Sequence, residues 1–153
     1  LAPYTYGMFA DFLKRLIQPA PEPLTGGDAR LALCALLVRV ARTDGDYSAS
    51  EIIRITRIIS ARYDLPQSEA EALRQEAETL ESEAPDTVRF TRAIKDAVPH
   101  EDRLGVIEAL WQVALADGVR EADEDALLRL VASLLGITDQ ESARARQRVM
   151  GGT

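Results

Sequence analysis

Two short stretches of this 153-residue chain place carboxylates on either side of a tight turn. Asp44-Gly45-Asp46 is followed by Glu51, and Asp117-Gly118 by Glu124, so each reads Asp-Gly-x5-Glu. Each aspartate falls at the end of an apolar helical stretch. There the negative end of the helix dipole disfavours a carboxylate by about 0.3–1 kcal/mol. The glycine lets the chain reverse through a left-handed conformation. The glutamate then lands in the first turn of the next helix, beside the aspartate. Carboxylates gathered with turn carbonyls make an oxygen site suited to Mg²⁺, Mn²⁺ or Ca²⁺. The first candidate ligand set is Asp44, Asp46 and Glu51. The second is Asp117, Glu121 and Glu124.

The spacing partly follows an EF-hand loop, in which glycine and glutamate are also five residues apart. With Gly45 at the sixth loop position, Val40 and Arg42 stand where that loop needs oxygen ligands. Val113 and Leu115 fail in the same way before Gly118. A standard EF-hand is therefore excluded, and any cation here keeps more of its water and binds weakly. A second explanation of the same residues is purely structural. Asp-Gly is a common turn, and Glu51 with Ser48 forms the pattern of a capping box. Glu121 stands where the first half has Ser48, three residues before Glu124, and is a poorer cap.

Helical periodicity must position these residues, because strand-type alternation is nearly absent. The pattern predicts a short helix over about 8–17, broken by Pro19, Pro21 and Pro23 and a linker ending at Gly26-Gly27. Residues 1–27 are thus expected to be an N-terminal segment and 28–150 the domain proper. Asp28 is expected to cap a helix over 29–43. Further helices are predicted over 48–62, 66–83, 87–97, 99–116, 122–135 and 138–149, the last opened by a Thr138–Glu141 capping box. Gly136 ends the preceding one. The expected fold is a single compact all-α domain of about eight helices.

The chain also repeats itself at an offset of 73. Leu37, Val40, Ala41, Asp44, Gly45 and Glu51 recur as Leu110, Val113, Ala114, Asp117, Gly118 and Glu124. Two helical hairpins related by a pseudo-twofold would produce this register.

Composition narrows the function. With 18 basic and 25 acidic residues the net charge is −7, which argues against nucleic acid as a partner. Cations and a basic protein surface fit better. A chain of this length buries roughly 68–70% of its unfolded surface without staples. Its single cysteine forms no internal disulfide. The longest apolar run, Leu31 to Val38, is far too short to span a bilayer. Met8 opens an amphipathic stretch, so residues 1–7 read as an upstream extension. No signal-peptide pattern is visible, and the cytoplasm is the expected location.

Other reactive residues read blandly. His100 is expected in a surface position at a helix start and Cys34 as a small core residue. Trp111 and Phe90 are expected in the core. Glu69, Glu71, Glu76, Glu78, Glu81 and Glu83 read as one solvated acidic face, with docking on a basic partner as the alternative. Arg42, Arg54, Arg57 and Arg62 read as surface or ion-pair groups. No phosphate loop, zinc spacing or catalytic triad is visible, so no enzymatic activity is expected.

The stretches Val40 to Glu51 and Ala114 to Glu124, set in an all-helical chain, resemble the TerB-like tellurite-resistance family. The resemblance covers about residues 29–149. It implies a compact helical fold with pseudo-symmetric hairpins, bacterial stress-response contexts, acidic positions that chelate metal, and no catalytic activity. The family's Ala-Asp-Gly is Thr43-Asp44-Gly45 in the first half and intact at Ala116-Asp117-Gly118 in the second. Val119 takes the place of the second acidic residue, so the second site needs Glu121 or Asp123 to make up its ligand set, and Glu121 is the one placed in it. Two functions are expected from this reading: a divalent-cation-binding stress-response module, or a metal-independent adaptor that meets an unidentified protein partner through its acidic helical surface.

Overall fold

The computed structural model describes residues 26–43, 47–84, 86–116 and 122–151. Among them are seven helices: α1 Gly26–Arg42, α2 Ala49–Tyr63, α3 Gln67–Glu83, α4 Val88–Ala97, α5 His100–Ala114, α6 Ala122–Leu134 and α7 Asp139–Gly151. These are seven of the expected eight. The helix expected over 8–17 lies outside the described residues. No helix among the described residues is long and apolar enough to cross a membrane.

The start of α1 corrects one expectation. The helix begins at Gly26, so Asp28 sits inside its first turn and does not cap it. Glycine weakens helix interiors, but the first-turn amides have no intrahelical partner in any case, so the pair is tolerated there.

The core is built around α1. Residues Ala32 to Val38, with Val40 and Ala41, are all buried. A helix apolar on every side has to be enclosed, and α1 packs on α2, α3, α4, α5 and α6. The second central helix is α5, which buries Val106, Ile107, Leu110, Trp111 and Val113 and lies mainly on α7 and α1. Phe90 and Trp111 are core residues as expected, and the Trp111 indole donates to Ser142 Oγ at 3.2 Å.

The helix ends follow local chemistry. Ser48 caps α2 and Thr138 caps α7, each in a complete capping box with the glutamate three residues on. The Thr138 amide and hydroxyl hold the Glu141 carboxyl below its ordinary range. That contribution is present above the usual carboxyl pKa and is lost as pH falls through the lowered value. α2 ends at Asp64 with φ 52°, and beyond α6 the chain turns at Gly136 with φ 76°. In each case the next amide reaches back five residues: Leu65 to Ser60 O at 3.0 Å and Ile137 to Ala132 O at 2.8 Å. These are the long back-bonds of a Schellman-type stop. Arg103 ties two further ends together. Its guanidinium donates to Val98 O, Lys95 O and Leu135 O, which joins the C-terminus of α4 to that of α6.

Candidate functional site

Asp44-Gly45-Asp46 lies between α1 and α2 and outside the described residues, and the described residues on either side of it are fastened to α3. On the entry side Thr43 Oγ1 donates to Arg39 O at 2.7 Å. Arg42 donates to Glu81 Oε1 at 2.8 Å and lies over the Tyr47 ring, 5.1 Å from its centroid. On the exit side the Tyr47 hydroxyl donates to Glu78 Oε2 at 2.6 Å. Glu78 also accepts from Arg74, whose Nε donates to Thr56 Oγ1. Burial, then the Glu78 carboxylate, push the Tyr47 phenol well above its usual pKa, so it stays a proton donor.

One turn into α2 lies Glu51, which is 2% exposed. A carboxylate is buried at this level only when hydrogen bonds replace its water. Its Oε1 accepts from the Ser48 amide at 2.9 Å and the Ser48 hydroxyl at 3.0 Å. Its own amide donates back to Ser48 Oγ at 3.2 Å. The capping explanation thus describes Oε1, and the carboxylate is held in place at the exit of the turn.

Of the six candidate ligands, Glu51 is the one whose side chain falls within the described residues. Asp44, Asp46, Asp117 and Glu121 lie outside them. Glu124 lies in the first turn of α6, the third residue of its helix, as Glu51 is of α2. The described residues contain no group of three or more His, Cys, Asp or Glu able to hold a metal ion.

The six glutamates of α3 do not form one solvated face. Glu78 and Glu81 turn inward to the turn-flanking network, with Glu81 bridging Arg39 and Arg42. Glu71 is half-buried and accepts from Gln67 Nε2 at 3.1 Å. Glu69, Glu76 and Glu83 are exposed. Seven-residue steps drift by only about 20° around a helix, so these three line a single outer stripe. The periodicity of the acids contained this split. Arg39 and Arg42, which draw Glu81 inward, lie some 40 positions earlier, and Tyr47, which meets Glu78 beside the local Arg74, lies 31 positions earlier, where local spacing carries no signal.

Arg39 is the residue that sequence reasoning missed. Nε meets Glu81, Nη1 meets Thr87, and Nη2 meets the carbonyls of Glu81 and Ala84. The same guanidinium lies over the Phe90 ring at 5.2 Å. It therefore binds α1, the end of α3 and the start of α4 into one unit.

Cys34 is fully buried, and loss of solvation pushes its thiol up to about 12. The thiolate is the reactive form. Native protein in mildly alkaline buffer is expected to resist an aromatic disulfide reagent and to react fully once denaturant unfolds it. Fast labelling of the native state would contradict this burial.

The family model described as tellurite resistance protein TerB matches residues 30–147. No curated protein and no solved structure gives a significant match.

Proposed function

The chain belongs to the TerB tellurite-resistance family, and from that premise we propose that it is a cytoplasmic, non-enzymatic stress-response module that binds divalent cations at two helix–turn–helix sites. Asp44, Asp46 and Glu51 supply the first site and Asp117, Glu121 and Glu124 the second. The observation that carries this reading is Glu51, a carboxylate fixed in a buried position at the exit of the first turn. The Arg42–Glu81 and Tyr47–Glu78 contacts hold both flanks of that turn against α3. Fixed flanks reduce the ordering cost of binding. A hard cation would relieve the repulsion among carboxylates crowded at one bend, and its affinity for oxygen donors suits Mg²⁺, Mn²⁺ or Ca²⁺.

The same reading takes the chain as carrying two helical hairpins related by a pseudo-twofold. α2 and α6 start 73 residues apart, at Ala49 and Ala122. Both are followed by the same type of stop, at Asp64 and Gly136. α1 packs most extensively on α3, and α5 on α7.

Titration with each metal, read by calorimetry and by thermal melting, tests the proposal. At tenfold excess over Kd, binding to the folded state alone adds about 1.4 kcal/mol. For a domain of this size that raises Tm by roughly 3–6 °C. The Asp44→Asn, Asp117→Asn double variant is expected to lose the response. A parent protein indifferent to millimolar metal, or a double variant that responds like the parent, overturns it.

A metal-independent adaptor is the second reading, and the exposed Glu69, Glu76, Glu83 stripe favours it. Capture of a basic protein partner that survives chelation and is lost on charge reversal of these three glutamates would support it over the first.

A further inference from the structure

Between α2 and α3 runs a groove of about 500 Å³, with Ile52, Ile53 and Ala61 along one wall and Gln67, Glu71 and Arg74 along the other. The polar groups of the α3 wall are engaged within the protein. Glu71 accepts from Gln67, and Arg74 donates to Thr56 and Glu78. On the α2 wall Ile53 is 52% exposed. The groove therefore offers apolar surface to an occupant more than it offers charge. One end lies at Ala61 and Gln67, where α2 gives way to α3. The start of α1 lies at that same end, since the Arg30 guanidinium sits over the Tyr63 ring, 4.9 Å from its centroid.

We propose that the occupant of this groove is the chain's own N-terminal stretch, Met8 to Ile17, which lies outside the described residues. Set on a helix, Phe9, Phe12, Leu13, Leu16 and Ile17 fall on one side, and Asp11, Lys14 and Arg15 on the other. Such a stretch gains stability by taking its apolar side out of water. The lengths agree. The stretch has ten residues, and the α2 wall from Ile52 to Ala61 also has ten. Either spans about 15 Å as a helix. Residues 18–25 tether the stretch to α1. Pro19, Pro21 and Pro23 favour an extended tether, and eight extended residues reach about 25 Å. Because α1 begins beside one end of the groove, this reach is sufficient. The tether also favours the chain's own segment over that of a second copy, because a short linker sets an effective concentration on the order of millimolar. This inference is independent of cation binding.

Limited proteolysis of the full chain tests it. Trypsin cuts after Lys14 and Arg15 when the backbone there is accessible. The expected result is slow cleavage at both positions in the parent. Ile53→Asp and Phe12→Asp are each expected to speed it by about tenfold or more, because each removes an apolar side chain from the contact. Circular dichroism of each variant separates release of the segment from loss of fold. A Phe9→Cys, Ile53→Cys variant treated with a short bifunctional maleimide is expected to become linked within one molecule, and the buried Cys34 takes no part. A parent cut at Lys14 and Arg15 as fast as the two aspartate variants overturns the proposal. A link that forms only between two molecules also overturns it and assigns the groove to a neighbouring copy.

Discussion

Replacing Arg39 with alanine is expected to lower the unfolding free energy by about 3 kcal/mol, the largest effect of any polar substitution in this fold. The side chain is 16% exposed and its partner Glu81 11%, so both charges sit largely out of water. Truncation removes the ion pair, the bond to Thr87 Oγ1 and two bonds to the carbonyls of Glu81 and Ala84. It also uncovers one face of Phe90. Glu81 keeps Arg42, whose side chain is 36% exposed, and this partial rescue places the effect toward the lower end for a broken buried pair. Arg39→Lys is expected to recover only part of the loss. An ammonium group keeps the charge but cannot span the carboxylate, the hydroxyl and the two carbonyls as a planar fork does. Urea denaturation of the three proteins measures this. A loss below 1 kcal/mol for alanine would show that the network contributes little to holding α3 and α4 on α1.

The second large effect concerns Glu51, where two substitutions separate two roles. Glu51→Ala removes the acceptor of the Ser48 amide and hydroxyl in a site closed to water. Leaving those donors unsatisfied is expected to cost about 2 kcal/mol. Glu51→Gln keeps an oxygen that accepts from the Ser48 amide, since glutamine also completes a capping box. It removes the charge and exchanges the other oxygen for an NH2 donor, and it is expected to retain part of the stability lost in the alanine variant. If Glu51 is a cation ligand, the glutamine protein also loses its melting response to Mg²⁺, Mn²⁺ or Ca²⁺ while staying folded. A glutamine variant that matches the parent in both stability and metal response would leave Glu51 as a cap alone.

Local signals made most of the fold legible. The Ser48–Glu51 and Thr138–Glu141 pairs announced two helix starts, and both boxes form with all their bonds. Gly136 announced a stop and adopts the left-handed backbone that a stop requires. The unbroken apolar run of Leu31 to Val38 lies in the helix expected over 29–43, and seven of those eight residues are buried. What local pattern does not carry is partner choice over long separations. Arg39 reads as an interruption in an apolar helix, and nothing near it names Glu81, Ala84 or Thr87. For the same reason Glu78 and Glu81 looked equivalent to Glu69 and Glu76. All four sit on one acidic helix, and only the packing of α3 against α1 and α2 separates them. The start of α1 shifted because glycines in a first turn give no strong signal either way. Of the candidate site, the position and cap of Glu51 were legible, because both depend on a spacing of three residues.

The enclosure of α1 has a consequence for how the molecule comes into being. A ribosome extrudes α1 long before α5 and α6, two of the helices that cover it. At cellular elongation rates the interval from the end of α1 to the start of α5 is roughly 3–12 seconds. For that time a strip of leucines, valines and alanines lacks two of the five helices that finally cover it. The nascent chain is therefore expected to recruit a holdase until its last third emerges, and ribosome-stalled chains ending near residue 98 are expected to be digested by protease faster than the released protein.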